Sequence, residues 1–120
     1  MEQLGILSNL ANAKQIMILE PLNYIRFMNL VYNCRFALTD SGGIQEETCY
    51  LGIPCLTLRP NTERPITITA GTNKLCTAES LEEDVDMVLA GSKKQTTKID
   101  LWDGHTADRV VESIKKYFKV

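Results

Sequence analysis

Short apolar runs alternate along this chain with segments that have the character of helices. Strands are predicted at residues 15–19, 35–39 and 55–59, with a short fourth strand at 74–77. The first of these, Gln-Ile-Met-Ile-Leu, is continuously apolar after its first residue, which is typical of a strand covered on both faces. Strands that alternate with helices predict an α/β fold with a mostly parallel sheet and right-handed crossovers.

Four helices are predicted, and one further segment fits two structures. The helices are at residues 22–32, 44–51, 81–90 and 107–118. In the last helix the apolar residues form one stripe, which predicts a face that docks on the sheet. Residues 66–69 alternate as a strand would, but Pro65 before them and Gly71 after them favour a helical turn. Residues 92–103 are mostly polar and predict a loop.

Length and charge narrow the classes of function. The chain has 120 residues, of which 13 are Lys or Arg and 15 are Asp or Glu, for a formal charge of −2. This length predicts a single domain. The balance of charges, without a basic cluster, predicts neither a nucleic-acid partner nor a membrane partner. No apolar run reaches the roughly 18–20 residues that cross a bilayer, and the N-terminus lacks a signal-peptide pattern, so we expect a cytoplasmic protein.

The cysteines do not indicate a metal or a disulfide. Cys34, Cys49, Cys55 and Cys76 form no C-x-x-C pair, and the single histidine, His105, is far from them in the sequence. This spacing favours neither a zinc site nor a disulfide framework. We interpret the cysteines as small buried apolar residues and expect no metal and no cofactor.

The segment Asp40-Ser41-Gly42-Gly43 connects the second predicted strand to the next helix. Ligands of open parallel sheets bind beyond the carboxyl ends of the strands, where this segment lies. Two glycines leave backbone N–H groups open to a ligand, and the positive end of the helix favours an anion. We therefore predict a phosphate site, to which Ser41 adds a hydroxyl donor. The same residues also fit a tight turn in which Ser41 or Asp40 caps the helix.

Charged residues near this segment are candidates for further roles. Glu47 is predicted to accept hydrogen bonds from the hydroxyls of a ribose, as acidic side chains do in dinucleotide-binding folds. Glu46 is assigned a structural role at the start of the helix. Arg64, in the loop after the third strand, presents a planar fork that suits phosphate. It also fits an ion pair with Glu63 or another surface acid.

The histidine does not complete a catalytic set. His105 follows Asp103-Gly104 at the start of the last helix, where the dipole disfavours its protonation. No acid partner or nucleophile is identified near it in the sequence, so we do not predict it as a general acid or base. Trp102 and Phe27 are interpreted as packing residues, and no catalytic residue is predicted.

Several separated segments together resemble the C-terminal domain of UDP-N-acetylglucosamine 2-epimerases. They are Glu20–Tyr24, Thr39–Glu47, Leu51–Pro54, Leu58–Pro65, Ala70–Thr72, and Asp103-Gly104 with Ala107 and Arg109. These segments agree with the family in order and spacing over nearly the whole chain. The run Thr-Glu-Arg-Pro at 62–65 is similar to the non-hydrolysing branch of this isomerase family, which interconverts UDP-GlcNAc and UDP-ManNAc.

The resemblance implies a Rossmann-like fold that is part of the C-terminal lobe of a glycosyltransferase-B-type fold. Residues 1–120 would form a single partial C-terminal domain that binds UDP or a UDP-sugar. The substrate-binding residues that it implies are Ser41, Gly42 and Gly43 at the pyrophosphate, Glu47 at the ribose, Pro21 and Leu22 near the uracil, and Arg64 as an addition.

This chain departs from the family pattern in ways that bear on activity. Family members carry acid/base carboxylates in an N-terminal lobe and a histidine in a His-Arg motif, and His105 does not match that histidine. We therefore expect the chain to bind UDP without epimerising the sugar, and the missing lobe to be a partner on another chain. An exposed sheet edge or apolar face would favour a homo-oligomer. Two alternatives stay open, the donor-nucleotide lobe of a glycosyltransferase and a non-catalytic interaction module.

Overall fold

The computed structural model describes residues 13–91 and 98–119, in which helices join the strands of a parallel sheet. The strands are β1 (Ala37–Thr39), β2 (Cys55–Leu58) and β3 (Asn73–Cys76). The helices are α1 (Tyr24–Asn33), α2 (Gly42–Leu51), α3 (Pro65–Thr69), α4 (Leu81–Ala90) and α5 (Thr106–Phe118). The predicted α/β fold is confirmed.

The sheet has the strand order β1-β2-β3 in the described ranges, and both neighbouring pairs are parallel. Cys55 pairs with Ala37 on one side and with Asn73 on the other, so β2 is the central strand. Parallel neighbours need a crossover connection, which contains α2 between β1 and β2 and α3 between β2 and β3. The turn after β1 and the loop after β2 therefore leave the sheet at the same edge.

The core is centred on β2 and the inner face of α2. Its buried apolar residues are Val31, Cys49, Ile53, Cys55, Leu56 and Cys76. Burial raises the pKa of the thiols of Cys49, Cys55 and Cys76. No disulfide joins any of the four cysteines, all of which the structure describes, and Cys34 is half-buried. The interpretation of the cysteines as small buried residues is thus confirmed for three of them.

Local signals explain where two of the helices begin and end. α2 ends at Leu51 because Gly52 takes the left-handed conformation, with a φ of 70°, and returns its N–H to carbonyls of the last turn. Glycine adopts this φ without the steric cost of a Cβ. Pro65 is the first residue of α3, so the predicted helical turn at residues 66–69 is confirmed. Proline suits this position because its fixed φ matches the helix and its missing N–H would have had no partner.

The predicted strand at residues 15–19 is wrong. The segment belongs to no strand, and Met17 is 80% exposed. An apolar run predicts burial, but a strand also needs a neighbouring strand to pair its N–H and C=O groups. In the part of the chain that the structure describes, β1 pairs with β2 alone, and no strand lies along its other edge.

The predicted docking of the last helix on the sheet is also wrong. None of residues 106–118, all of which the structure describes, is buried. The apolar stripe predicted for the first helix behaves similarly, since Val31 is the single buried residue of α1, which is described throughout. Helical periodicity determines which face is apolar, but it does not determine which surface covers that face.

The described residues contain neither a membrane-spanning helix nor a cluster of metal ligands. No helix among them is long and apolar enough to cross a membrane. They also contain no group of three or more His, Cys, Asp or Glu residues arranged to hold a metal ion. Of the predicted loop at 92–103, residues 92–97 lie outside the described residues.

Candidate functional site

The turn after β1 places three predicted site residues at the start of a helix; we call Ser41, Gly42 and Gly43 the glycine turn. α2 begins at Gly42, two residues before its predicted start. The first N–H groups of a helix have no carbonyl partner within it. Ser41 stands at the N-cap position, but its side chain makes no capping hydrogen bond within the described chain. The hydroxyl of Ser41 and the first amides of α2 can therefore donate to an anion.

Arg64 lies against the glycine turn, although it comes from the loop after β2. A Cβ built on Gly42 would lie 3.0 Å from Nη1 and 3.2 Å from Cζ of Arg64. The guanidinium thus occupies the space that a side chain at position 42 would fill. Glycine at this position permits so close an approach. The structure therefore brings together two groups of predicted phosphate-binding residues from separate loops.

Glu46 is the main ionic partner of Arg64. Nε of Arg64 lies 2.8 Å from Oε2 of Glu46, whereas Glu63 is 3.8 Å from Nη1. Nε is buried and its N–H makes no well-directed hydrogen bond in the described chain, so the contact is best described as an ion pair. The contact with Glu46 and its negative charge raise the pKa of Arg64. Glu46 therefore holds the guanidinium, which is a structural role other than the expected one, because no acidic residue lies in the first turn of α2.

Glu47 is held by a residue of α1. The hydroxyl of Tyr24 donates to Oε1 of Glu47 at 3.0 Å. This hydrogen bond, together with the negative charge of Glu47, raises the pKa of the Tyr24 phenol. A carboxylate has about four acceptor positions on its two oxygens. Glu47 can therefore still accept hydrogen bonds from the hydroxyl groups of a ligand.

A cavity of about 570 Å³ opens beside Glu47, between α1 and α2. Its lining residues are Tyr24, Met28, Glu46, Glu47, Tyr50, Leu51 and Trp102. This volume lies in the range of small-molecule sites, roughly 300–1,000 Å³. Trp102, which we interpreted from the sequence as a packing residue, thus lies at the wall of a cavity that also contains the candidate ribose-binding carboxylate.

Leu22, with Pro21 before it, lines a groove other than the cavity beside Glu47. They belong to the extended segment before α1, and Leu22 lines a separate groove of about 500 Å³ with Met17, Ile25, Leu30 and neighbouring residues. Within the described chain, this groove contains no residue of the glycine turn and neither of the two other predicted binding residues. The contact of this segment with uracil stays a prediction.

His105 belongs to a separate cluster at the start of α5. Its Nδ1 lies 3.2 Å from Oδ2 of Asp108, an acid partner that the sequence reasoning missed. Its backbone N–H donates to Oδ1 of Asp103 at 3.0 Å. Asp103 also pairs with Arg109, and the hydrogen bonds from Arg109 and from this N–H lower the pKa of Asp103 to about 2. These contacts connect residues at the start of the helix and give His105 no link to the glycine turn.

Sequence reasoning also missed a group of polar residues buried behind Arg64. Gln45, Thr57, Thr67 and Asn73 are all buried. Their signal in the sequence is weak, because single polar residues in short strands and helices are common on exposed faces. These residues are buried because the loop after β2 folds against α2, which a local sequence pattern does not show.

Comparisons with known proteins agree with one another. A protein-family model described as UDP-N-acetylglucosamine 2-epimerase matches residues 2–115. The UDP-N-acetylglucosamine 2-epimerase of Methanocaldococcus jannaschii is 40% identical over 113 residues, which cover 92% of this chain and 30% of the relative. That of Escherichia coli O157:H7 is 35% identical over 112 residues, which cover 88% and 30%. The chain thus spans about 30% of the length of these curated relatives.

Solved structures show the same similarity. The crystal structure of the Methanocaldococcus jannaschii UDP-GlcNAc 2-epimerase in complex with UDP-GlcNAc and UDP matches with a TM-score of 0.81 and 37% identity, covering 96% of this chain and 32% of that one. The Neisseria meningitidis enzyme bound to UDP-GlcNAc matches with a TM-score of 0.72 and 32% identity, covering 95% and 33%. These neighbours have the glycosyltransferase-B-like fold, which confirms the predicted fold class.

Proposed function

Because this chain belongs to the UDP-N-acetylglucosamine 2-epimerase family, we propose that residues 1–120 form a partial C-terminal domain that binds the UDP part of UDP-GlcNAc or UDP-ManNAc. The observation that carries this proposal is the position of the Arg64 guanidinium against the first turn of α2. Helix amides, the hydroxyl of Ser41 and a permanent cation converge there. A diphosphate has the charge and the acceptor oxygens that such donors recognise.

Each part of the nucleotide has a proposed set of contacts. The glycine turn binds the pyrophosphate, and Arg64 neutralises part of its charge. Glu47 accepts hydrogen bonds from the ribose through acceptor positions that Tyr24 leaves free. The uracil lies close to the backbone of Pro21-Leu22. The similar structure from Methanocaldococcus jannaschii is described as a complex with UDP-GlcNAc and UDP, which supports this ligand class.

We also propose that the 120 residues alone do not epimerise UDP-GlcNAc. Inverting a sugar carbon requires proton-transfer groups aligned with that carbon, and contacts with UDP supply only remote binding energy. The glycine turn, Glu47 and Arg64 are assigned here to nucleotide binding. Activity would then require a complementary lobe, which we propose as a partner of these 120 residues. Self-association of this chain through its exposed apolar residues is a second proposed partnership.

Isothermal titration of UDP into the chain tests the binding site. Arg64→Met should weaken UDP binding by about 10–100-fold, because it removes charge-assisted hydrogen bonds to the diphosphate. The matched control is Arg59→Met, in the same loop, because the Arg59 guanidinium pairs with Glu63 at 3.1 Å. This control should keep the affinity of the wild type. Absence of binding at millimolar UDP, or an equal loss in the two variants, would contradict the proposal.

Incubation with UDP-GlcNAc tests the proposed lack of turnover. We expect no UDP-ManNAc, and sustained turnover by the pure chain would refute that part of the proposal. A non-catalytic interaction module is the second candidate, because Val110, Val111 and Ile114 of α5 stay about half exposed on one apolar stripe. A folded chain that binds no UDP would favour this second candidate.

A further inference from the structure

Behind Arg64 lies a connected group of polar side chains that we call the amide network: Gln45, Thr57, Thr62, Thr67 and Asn73. Thr62 is half-buried and the other four are buried. Oε1 of Gln45 accepts hydrogen bonds from Oγ1 of Thr62 at 2.6 Å and from Nδ2 of Asn73 at 3.1 Å. Oδ1 of Asn73 accepts from Oγ1 of Thr57 at 2.6 Å. The network therefore connects α2 to β2, β3 and the loop after β2.

The amide network holds the backbone of Arg64 on both sides of its Cα. The N–H of Arg64 donates to Oγ1 of Thr62 at 3.1 Å. The C=O of Arg64 accepts from Oγ1 of Thr67 at 2.8 Å. Each threonine is bonded in turn to a buried amide. Thr62 donates to Gln45, and Thr67 accepts from Nδ2 of Asn73 at 3.1 Å. These bonds therefore fix the position of the Arg64 backbone, from which its side chain extends.

Stability alone does not explain this network. Within the described residues, Nε2 of the fully buried Gln45 has no hydrogen-bond partner. A buried amide donor without a partner opposes folding, and an apolar side chain of similar size would avoid that cost. Buried polar groups instead favour one arrangement of the surrounding side chains and backbone, because hydrogen bonds are directional and strong in a low-dielectric interior. The loop that contains Arg64 needs such a restraint, since an unrestrained backbone populates many conformations.

We infer that Gln45 and Asn73 are positioning residues for Arg64. Through two threonine hydroxyls they fix the Arg64 backbone, from which the side chain reaches the glycine turn and pairs with Glu46. The inference rests on the proposed function for the identity of the ligand, a diphosphate, but its geometric part stands independently. Neither amide is assigned a contact with the ligand, because each acts through Arg64. Disruption of the network should therefore weaken UDP binding only while Arg64 is present.

Substitutions at Thr62 test this inference with the smallest change. Thr62→Val removes the hydroxyl and keeps the shape of the side chain, whereas Thr62→Ser keeps the hydroxyl and serves as the rescue variant. Each is combined with Arg64→Met, and UDP affinity is measured by calorimetry. We expect Thr62→Val to weaken UDP binding about threefold to tenfold alone, but less than about twofold in the Arg64→Met background. Thr62→Ser should stay within about twofold of the wild type.

A second measurement does not require UDP. In heteronuclear NMR the Nε–H of Arg64, which is buried in the wild type, should be protected from solvent exchange. This protection should be lost in Thr62→Val and in Gln45→Met. It should persist in Thr48→Val, which is the matched control, because Thr48 is fully buried in the same helix and its hydroxyl donates to the C=O of Ile44 at 2.6 Å.

The two measurements separate failure of the inference from failure of the proposed function. If the wild type binds no UDP and the Nε–H responds as expected, the proposed function fails and the positioning of Arg64 stands. If UDP binds but Thr62→Val weakens it equally with and without Arg64, the inference is overturned. Persistent protection of the Nε–H in Thr62→Val and Gln45→Met overturns it as well. If Gln45→Met does not fold, the Thr62 variants decide.

Discussion

Gly42→Ala is expected to displace Arg64 without unfolding the protein. The added Cβ would lie 3.0 Å from Nη1 and 3.2 Å from Cζ of Arg64. Non-bonded heavy atoms are most stable at about 3.5–4.0 Å, so the guanidinium must retreat by roughly 0.5–1 Å. The three atoms nearest to the added Cβ all belong to the Arg64 side chain. Because its end is flexible, the strain can be relieved by a rotamer change.

The magnitudes follow from this geometry. Alanine favours a helix over glycine by at most about 1 kcal/mol, which offsets the rearrangement of one half-exposed side chain. We therefore expect the free energy of unfolding to stay within about 1 kcal/mol of the wild type. The UDP affinity should fall about tenfold, because the displaced guanidinium loses part of its charge-assisted hydrogen bonding to the diphosphate.

Urea denaturation, calorimetry with UDP and the NMR signal of the Arg64 Nε–H test this prediction. Gly43→Ala is the control for the NMR signal, because its Cβ would meet nothing closer than Oγ of Ser41 at 4.0 Å. The signal should move in Gly42→Ala and stay in Gly43→Ala. If Gly42→Ala changed neither the signal nor the UDP affinity, the guanidinium would not occupy the space beside Gly42, and the reasoning behind the site would be refuted.

Three further predictions concern stability and titration. Gly71→Ala should lower the free energy of unfolding by about 2–4 kcal/mol, because the added Cβ would lie 2.4 Å from a backbone carbonyl oxygen of α3. Urea denaturation measures this change, and a loss below about 0.5 kcal/mol would contradict the prediction. Hydrogen bonds from Lys74 and Ser80 lower the pKa of Asp84. The stability that this carboxylate contributes is therefore complete above its ordinary pKa of 3.8 and is lost as the pH falls through its lower pKa in the folded protein. The free energy of unfolding should thus fall less steeply with acid in Asp84→Asn than in the wild type. Glu47→Gln should lower the pKa of Tyr24 towards 10.0 in an NMR titration, and an unchanged pKa would exclude their hydrogen bond.

The sequence predicted well those elements whose ends carry local signals. α2 ends at Leu51, as predicted, because Gly52 accepts the left-handed conformation there. α4 ends before Gly91, and β2 ends at Leu58, one residue before its predicted end. In each case a few consecutive residues contain the information. The parallel sheet followed from the alternation of these elements.

Burial could not be predicted in the same way. Met17 and Ile114 are apolar and exposed, whereas Thr57 and Asn73 are polar and buried. A local pattern reports the preference of a segment for an apolar or polar environment. The environment itself depends on which surfaces meet, and that is decided by residues far away in the sequence. The failures at residues 15–19 and in α5 have this common cause.

The candidate site divides along the same line. The glycine turn could be predicted because a strand, two glycines and a helix are consecutive in the sequence. The position of Arg64 could not, since two threonines connect its backbone to Gln45 in α2 and Asn73 in β3. The bond between Tyr24 and Glu47 depends likewise on the packing of α1 against α2. The hydrogen-bond donors of the site could therefore be predicted from the sequence, whereas their position beside one another depends on tertiary contacts.

The electrostatics of the glycine turn favour a binding site over a purely structural ion pair. The N-terminus of α2 carries a partial positive charge, so a guanidinium beside it is repelled. Glu46 offsets this repulsion, since its contact raises the pKa of Arg64 and so favours the charged guanidinium. The same ion pair would be more favourable at a surface away from the end of a helix. A bound diphosphate would attract both positive groups and so replace their repulsion with two attractions. Two positive groups brought together at an open helix end are expected where a protein binds an anion, because a functional site is where local rules of folding are most often broken.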